Sequence, residues 1–377
     1  IRRPPRSTLD RSSAASDVYK RQLLNIGIIV SSYNAYVDNF NESNKDSIAS
    51  GDIIALEHSS VEFIEKASGI KTRHVVDKKN ILDVDRMMPS LKHEDESRLS
   101  IQAIAGIDAA KKAMDQANVT PADIDAVILG TSHNARYYPA VAIEIQNELG
   151  IDGYAYDMLV GCSSTTFAIN NAYSDIASGL ADTILVVNPE ISTPAVNFGK
   201  RDIHFIFGDG CVATIVKKGS YSKKSFKILD RKLITQFSNN IRNNFGFLNL
   251  SENSDPNLPD KLFIQKGRSV FKEVVPMVQT HISSHLVDLD IDIQEVKRLW
   301  LHQANLSMNQ LIAKKLLGRD PDEQEMPIIL NDYANTSSAG SIIAFHQTKD
   351  DFVSDEIGVI SSFGAGYSVG SVVLQKV

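Results

Sequence analysis

Three residues far apart in the chain, Cys162, His302 and Asn335, are of types that could share acyl-transfer chemistry. Cys162 stands just before a helical pattern, and the partial positive charge at a helix N-terminus lowers a thiol pKa from about 8.5. The position therefore predicts an activated nucleophile. All three residues fall near predicted strand ends, where α/β folds gather their ligands.

Each of the three also has an ordinary structural explanation. Cys162 could be a small buried hydrophobic residue, a common fate of cysteines in cytosolic proteins. His302 could be a structural histidine with satisfied hydrogen bonds, and Asn335 could cap the helix that follows it. Position alone leaves these alternatives open.

A glycine-rich segment near the C-terminus, Gly364-Ala365-Gly366, follows Phe363 and precedes a strand-like run. It could form a simple turn. It could also bring backbone N–H groups beside a developing oxyanion, where each donor contributes about 3 kcal/mol. The residues alone do not choose between the two.

The elements that must position these residues follow from the apolar pattern. Short β-branched runs alternate with helical patterns from residue 24 onward, which predicts an α/β fold with buried strands. We expect strands over residues 26–30, 126–129, 183–187, 213–216, 298–301, 327–330 and 371–374. We expect helices over residues 61–67, 104–117, 169–176, 271–282 and 311–316. Pro276 should kink the fourth helix or mark its start.

Two similar segments predict two related halves. Phe207-Gly208-Asp209-Gly210 runs into one strand, and Phe363-Gly364-Ala365-Gly366 runs into another. We therefore expect a first half over residues 23–224 and a second half over 225–377, in tight contact. Residues 1–22 are rich in Arg and Ser, begin without Met and show no apolar period, so we interpret them as a non-native leader or assembly scar.

Composition excludes several functional classes. The 377 residues are 43% hydrophobic with a net charge of -7, or -11 without residues 1–22, so nucleic acid and membrane surfaces are not expected partners. No apolar run approaches the roughly 20 residues that cross a bilayer. Two cysteines are too few for a disulfide framework, and their small number is typical of a reducing compartment. We expect a cytoplasmic protein.

Six segments, in this order, resemble the β-ketoacyl-acyl-carrier-protein synthase III family over residues 24–377. They are Ser68-Gly69-Ile70, Gly161-Cys162-Ser163, Phe207-Gly208-Asp209-Gly210, His302-Gln303-Ala304-Asn305, Asn335-Thr336-Ser337 and Phe363-Gly364-Ala365-Gly366. The resemblance implies an α/β thiolase fold, an αβαβα five-layered sandwich of two related halves, and a homodimer. An insertion after residue 30 and the segment 81–87 resemble a longer subgroup of the family.

The resemblance also implies a decarboxylative condensation. Cys162 would take an acyl group from acyl-CoA, with the oxyanion held by its own N–H and one from the turn Gly364, Ala365 and Gly366. His302 and Asn335 would then stabilise the enolate formed from malonyl-acyl-carrier protein. Phe207 would form an apolar wall that promotes loss of carbon dioxide. The reaction needs no metal or redox cofactor.

Further binding residues are implied by matching positions in the family. The set comprises Phe63, Arg201 and Arg268 for CoA, Tyr138 and Thr165 for the acyl pocket, and Lys272, Lys314 and Lys315 for docking of acyl carrier protein. Phe63 stands where the family usually has Trp, and Ala67 replaces an arginine, so the affinity for CoA is open. The lysines could equally form an ordinary solvated face.

Several rival functions share this constellation. Thiolases carry a second cysteine near the C-terminal turn, where this chain has Phe363 and Gly364, and elongating synthases carry His in place of Asn335. Condensing enzymes or acyltransferases of secondary metabolism share all three residues and stay open. A cysteine hydrolase is a distant alternative, because the local protease signature is missing. From the longer subgroup we hypothesise a medium-chain acyl-CoA primer.

Overall fold

The computed structural model describes residues 7–9, 14–16, 22–91, 99–219, 225–251 and 259–377. The strands are β1 (Ser7–Leu9), β2 (Ala14–Ser16), β3 (Gln22–Asn25), β4 (Thr72–Val75), β5 (Ala126–Thr131), β6 (Tyr154–Leu159), β7 (Thr183–Glu190), β8 (Gly210–Lys218), β9 (Phe226–Ser238), β10 (Ile241–Arg242), β11 (Ile264–Gln265), β12 (Val296–Leu301), β13 (Ile357–Gly364) and β14 (Gly366–Lys376). The helices are α1 (Ile26–Ser43), α2 (Lys45–Ser50), α3 (Val61–Ser68), α4 (Lys78–Ile81), α5 (Ile101–Ala117), α6 (Val141–Leu149), α7 (Ser164–Ser178), α8 (Gly267–Asp288), α9 (Leu306–Leu317), α10 (Leu330–Tyr333) and α11 (Gly340–Thr348).

The strand pairing repeats between the two halves of the chain. In the first half β7 is parallel to β5 and antiparallel to β8, and β6 lies parallel to β5 at the sheet edge. In the second half β13 is parallel to β12 and antiparallel to β14, which pairs with β9. α7 precedes β7 as α11 precedes β13. The predicted relation between the halves is therefore present in the topology.

Alternating side chains of these strands separate three buried layers. On β7, Ile184 and Val186 face a central core with α7 and α11, whereas Leu185 and Val187 face an outer core with α5 and α6. On β12, Trp300 faces the central core, and its neighbours face α8 and α9. The order helix, sheet, helix, sheet, helix is the predicted five-layered sandwich.

The predicted strand over residues 26–30 is wrong, because these residues form the first turns of α1. The Asn25 side chain accepts a hydrogen bond from Gly27 N at 2.8 Å and so caps the helix. Apolar residues then recur at helical spacing on its buried face, which includes Ile26, Ile29, Val30, Tyr33 and Val37. The helical period extends beyond the short β-branched run that suggested a strand.

The segment 327–330 is not a strand either. Ile329 N donates to Gln303 Oε1 at 3.0 Å and Gln303 Nε2 donates to Pro327 O at 3.3 Å, so an amide side chain takes the place of a strand neighbour. Pro276 lies inside α8, which starts at Gly267, so it does not mark the helix start. The other predicted strands and helices are present with shifted ends.

The predicted boundary between residues 224 and 225 falls between β8 and β9, while residues 220–224 lie outside the described ranges. Of residues 1–22, the described parts include β1, which pairs with β8 and β9, and β2, which pairs with β8. The interpretation of this segment as a leader stays a prediction. None of the helices in the described ranges has the length and apolar composition that a membrane crossing requires.

Two buried histidines of α8 that face β9 and β14 make stability dependent on pH. His281 Nε2 contacts Lys232 O at 3.1 Å and Ser371 Oγ at 2.9 Å, and His285 Nδ1 contacts Ser371 Oγ at 2.7 Å. Burial lowers the pKa of both, to about 4 for His281. Asp230 lies 3.5 Å from His285 Nε2 and opposes part of that shift.

We therefore expect the free energy of unfolding to fall as the pH drops from about 6.5 towards about 4, because the unfolded chain protonates first. His281 alone should contribute about 3 kcal/mol of this loss. Urea denaturation at several pH values should show a shallower fall for His281→Gln than for wild type. The control is His58→Gln, since His58 is exposed. Parallel curves for wild type and His281→Gln would contradict the assignment.

Candidate active site

Chain reversals at the strand ends bring the predicted reactive residues to one pocket. Cys162 follows β6, His302 follows β12, and Asn335 is joined to Phe207 by an isolated parallel bridge. All four residues line a cavity of about 840 Å³, together with Gly364. The sequence prediction that Cys162, His302 and Asn335 face one site agrees with this placement.

Cys162 lies in a 3-10 turn, Gly161–Ser163, that leads into α7. The residue is partly exposed to the pocket, yet burial raises the pKa of its thiol to about 12, and a hydrogen bond from Ser337 offsets only part of this effect. The prediction of a lowered thiol pKa is therefore wrong, because loss of water outweighs the helix N-terminus. At neutral pH the thiol is protonated and needs a proton acceptor to react.

His302 is held rigidly at the end of β12. Its backbone N donates to Ser361 O at 2.7 Å, and its ring meets the Phe363 ring edge to face, with centroids 5.2 Å apart. Burial lowers its pKa to about 4, although a backbone hydrogen bond with Ser337 acts in the opposite direction. The imidazole is consequently neutral at pH 7 and has a single N–H, which can donate to a ligand carbonyl only in place of the Ser337 carbonyl.

Asn335 combines a structural role with a free hydrogen-bonding group. Its Oδ1 accepts from Ser337 N at 2.8 Å, and its backbone N donates to Ile206 O at 3.0 Å. The oxygen therefore bonds the backbone two residues ahead but does not cap a helix, because Thr336 precedes the 3-10 turn Ser337–Ala339 and makes no side-chain cap hydrogen bond. The NH2 group of the same side chain is the part that can donate to a ligand carbonyl in the pocket.

The Phe207 segment is fixed by a buried arginine that sequence reasoning missed. Arg73 Nη1 donates to Phe207 O at 3.0 Å and Arg73 Nη2 donates to His204 O at 2.7 Å. Asp209, two residues further on, accepts from Val76 N at 2.9 Å and from the Thr193 hydroxyl at 2.7 Å. The Phe-Gly-Asp-Gly segment therefore holds the wall of the pocket in place.

The turn between β13 and β14 packs directly on the nucleophile. A Cβ at Gly364 would lie 2.8 Å from Cys162 Cβ and 3.1 Å from Cys162 N, and only glycine allows this approach. Ala365 packs beside Gly161, the residue before the nucleophile, since a Cβ at Gly161 would lie 3.5 Å from its methyl group. The oxyanion role of Gly364, Ala365 and Gly366 stays a prediction that this proximity favours.

The expected CoA residues gather near the pocket mouth. Phe63 and Arg268 line the cavity. The Arg201 guanidinium lies 4.3 Å from the centroid of the Phe63 ring and pairs with Glu57 at 3.1 Å, so one face of the aromatic ring is already covered. Asp202, which sequence reasoning did not select, also lines the cavity.

The two expected acyl-pocket residues do not line this cavity. Thr165 is fully buried, and its hydroxyl donates to Ser338 O at 2.6 Å, which ties α7 to the second half. Tyr138 is 77% exposed. The side chain of Thr165 points into the contact between the halves, whereas Tyr138 extends outward from this single chain. Their role in an acyl pocket stays a prediction.

The expected docking lysines, Lys272, Lys314 and Lys315, are exposed on α8 and α9. Lys314 forms an ion pair with Asp320 at 2.8 Å. Their role in docking stays a prediction.

Three polar residues beside Cys162 were missed by sequence reasoning. The Ser337 hydroxyl lies 3.3 Å from Cys162 Sγ and bonds the Ser132 hydroxyl, which in turn contacts Glu190. Ser132 follows β5, and Glu190 ends β7. The rule that selected Cys162, polar groups at the carboxyl ends of parallel strands, could have found both.

A Gly364→Ala variant should lose reactivity at Cys162, because the added methyl group must push the turn away from the nucleophile. We expect acylation of Cys162 by acyl-CoA to slow by at least about 100-fold, the usual effect of removing an oxyanion donor. Mass spectrometry of the acylated protein measures this rate. Gly246→Ala is the control, since its Cβ would make ordinary contacts. An unchanged rate in Gly364→Ala would contradict the proposed packing.

Comparison with known proteins agrees with this architecture. A family model described as the C-terminal domain of 3-oxoacyl-[acyl-carrier-protein] synthase III matches residues 286–376, and the companion model for 3-oxoacyl-[acyl-carrier-protein] synthase III matches residues 156–236. The β-ketodecanoyl-[acyl-carrier-protein] synthase of Pseudomonas aeruginosa is 54% identical over 347 residues, which cover 92% of this chain and 99% of that protein.

More distant relatives share the same fold. The β-ketoacyl-[acyl-carrier-protein] synthase III of Brucella anthropi is 27% identical over 341 residues, 86% of this chain and 93% of that protein. The crystal structure of 3-oxoacyl-[acyl-carrier-protein] synthase III from Aquifex aeolicus superposes with a TM-score of 0.75 at 23% identity, covering 98% of this chain and 99% of that chain. The chain therefore belongs to the 3-oxoacyl-[acyl-carrier-protein] synthase III family, thiolase-fold acyltransferases that condense an acyl group with malonyl-acyl-carrier protein in fatty acid biosynthesis.

Proposed function

We propose that this enzyme condenses octanoyl-CoA with malonyl-acyl-carrier protein to form 3-oxodecanoyl-acyl-carrier protein, carbon dioxide and CoA. The observation that carries the primer length is the identity of 54% with a β-ketodecanoyl-[acyl-carrier-protein] synthase. A ten-carbon product contains two carbons from malonyl after decarboxylation, so eight come from the primer. The apolar cavity suits such a chain, since its walls include Phe205, Ile206, Phe207, Phe263 and Val274.

In the first half-reaction the Cys162 sulfur attacks the thioester carbonyl and CoA leaves. The negative charge on the carbonyl oxygen would be held by the N–H of Cys162 and by one from the turn at Gly364 to Gly366, which packs against it. The acyl group then remains on sulfur, and the malonyl thioester enters the same cavity. The proximity of the turn to Cys162 supports this arrangement.

In the second half-reaction the bond between the malonyl carboxylate and its α-carbon breaks, and carbon dioxide leaves. The electron pair forms an enolate whose oxygen would accept from neutral His302 and from the Asn335 NH2 group. The lowered pKa of His302 supports this role, because a neutral imidazole can donate without being a strong acid. The ring of Phe207 packs on the ring of Phe263, with their centroids 4.7 Å apart. This apolar surface would disfavour the charged malonyl carboxylate and so promote its loss.

The CoA nucleotide would bind at the outer end of the cavity, between Phe63 and Arg268. Arg201 already covers one face of Phe63, so the adenine would stack on the other face or displace the guanidinium. The acidic carrier protein would dock beside this mouth, where Lys272 and Lys315 are exposed. Both substrates would thus reach Cys162 from one side.

We propose further that the enzyme is a homodimer assembled along β6. This strand lies at the sheet edge, and its Leu159 is 53% exposed immediately before the active-site turn. Tyr138 belongs to the same half of the chain and projects outward from it. In the dimer it would reach the acyl pocket of the partner subunit. The cytoplasmic location expected from the two free cysteines stays a prediction.

Acylation rates across a series of primers test the proposed chain length. We expect octanoyl-CoA to acylate Cys162 at least roughly tenfold faster than butyryl-CoA, because each buried CH2 group contributes about 0.8 kcal/mol. Mass spectrometry should then detect 3-oxodecanoyl-carrier protein after malonyl-carrier protein is added. A clear preference for acetyl-CoA would refute the primer, and acylation without condensation would refute the mechanism.

An Asn335→Ala variant should separate the two half-reactions. Acylation of Cys162 should remain largely intact, whereas decarboxylation of malonyl-carrier protein should fall by about 100-fold or more, because a donor to the enolate is lost. Release of labelled carbon dioxide and acylation by octanoyl-CoA are measured on the same preparation. Asn331→Ala, at a half-buried position of α10, is the matched control. Equal loss of both steps would contradict the assigned role.

A further inference from the structure

Four side chains form a continuous line of hydrogen bonds from the nucleophile into the protein interior. Ser337 Oγ lies 3.3 Å from Cys162 Sγ, and the Ser337 and Ser132 hydroxyls are hydrogen-bonded to each other. Ser132 Oγ lies 3.3 Å from Glu190 Oε1. Each hydroxyl can accept one proton while it donates another, so the line can move a proton without moving a heavy atom.

Glu190 ends this line as a fully buried carboxylate at the end of β7. It accepts from Ser132 N at 3.1 Å, from Ser338 N at 3.2 Å and from the Thr131 hydroxyl at 3.2 Å. Burial raises the pKa of the Glu190 carboxyl above its usual range, and the hydrogen bonds from Ser338, Ser132 and Thr131 offset part of this effect. A raised pKa makes the ionised carboxylate a stronger proton acceptor than an exposed one.

We propose that Glu190 accepts the thiol proton of Cys162 through Ser337 and Ser132 when the enzyme is acylated. In the resting site the Ser337 hydroxyl donates to Cys162 Sγ, so it first rotates to donate to Ser132. The S–H bond then breaks and its proton passes to Ser337 Oγ, the Ser337 proton passes to Ser132 Oγ, and the Ser132 proton passes to Glu190 Oε1. The electron pair left on sulfur forms the bond to the thioester carbon. The proton then returns along the same hydroxyls to the departing CoA sulfur, so Glu190 is ionised again for the next cycle.

Of the titratable groups described around Cys162, Glu190 is the best placed to accept the thiol proton. His302 lines the same pocket, but no hydrogen bond joins it to the thiol within the described ranges, and burial lowers its pKa to about 4. Burial also lowers the pKa of His133, next to Ser132, so both imidazoles are poor bases here. Asp209 is a second buried carboxylate close to Glu190, because it precedes Gly210, the sheet partner of Glu190. The Asp209 oxygens, however, accept hydrogen bonds from Ser192, Thr193 and Val76 rather than from the relay.

The raised thiol pKa is what makes such a relay necessary. A cysteine with a pKa of about 12 contains almost no thiolate at neutral pH, so direct ionisation to water would leave it unreactive. Transfer to Glu190 also removes the negative charge that opposes thiolate formation, since the Glu190 carboxylate itself raises the pKa of Cys162. The acyl transfer rests on the function proposed above, whereas thiolate formation requires no acyl-CoA.

Ser132→Ala tests the relay because it breaks the line without changing Cys162 or Glu190. Alkylation of Cys162 by iodoacetamide and acylation by octanoyl-CoA are measured from about pH 6 to about pH 10. We expect both to be about 100-fold slower than wild type near pH 7, with the gap closing towards pH 10 as hydroxide removes the proton directly. Ser132→Thr keeps a hydroxyl and should restore the wild-type profile.

Ser371→Ala is the matched control for loss of a buried hydroxyl, because Ser371 Oγ bonds His285 Nδ1 at 2.7 Å and has no contact with the relay residues in the described part of the chain. It should alkylate at the wild-type rate. Glu190→Gln should reproduce the Ser132→Ala profile, and the double variant should be no slower than either single variant, since both break one path.

The relay is overturned if Ser132→Ala follows the wild-type profile, if it is slower by one factor at every pH, or if the losses in the double variant multiply. A constant factor would mean that Ser132 only shapes the site. If octanoyl-CoA fails to acylate the protein while iodoacetamide follows the expected profiles, the primer is wrong and the relay stands. The two proposals therefore fail separately.

Discussion

The contact between the two halves at the central helical layer is the constraint on which the site depends. The Thr165 hydroxyl of α7 donates to Ser338 O, and Thr166 bonds Ser362 of β13. These contacts hold the turn that carries Cys162 in the first half against segments of the second half. Neither half contains a complete site by itself, because Cys162 belongs to the first half, whereas His302 and Asn335 belong to the second half.

Burial at this junction sets the chemical character of the reactive groups. The same loss of water raises the pKa of the Cys162 thiol and lowers that of His302, so both are neutral at rest. A neutral histidine suits hydrogen bonding to an enolate, but a neutral thiol is a weak nucleophile. The site therefore separates two tasks. His302 and Asn335 face the condensation step, while the hydroxyls behind Cys162 lead to a buried carboxylate.

Polar side chains hold the segments around the pocket through hydrogen bonds to the backbone. This role explains why Arg73 and Gln303, which take no part in the proposed reaction, are fully buried there. Arg73 binds two carbonyl oxygens of the segment that ends at Phe207. Gln303 bonds the backbone on both sides of residue 328 and replaces the strand expected there. Such side chains satisfy buried backbone groups that no sheet neighbour reaches. The apolar wall of the cavity depends on them as much as on its own packing.

The sequence by itself determined the residue types, their order and the alternation of strands and helices, because apolar periodicity is local and survives without a structure. It also indicated the two halves through their repeated glycine segments. Prediction from local residue preference failed where neighbouring residues favoured another structure. The β-branched residues after Asn25 suggested a strand, but Asn25 caps a helix there. Only the tertiary structure decided the thiol pKa, the coverage of Phe63 by Arg201 and the line from Cys162 to Glu190. These depend on burial and on contacts between residues remote in the chain, and neither quantity is encoded in a short stretch of sequence.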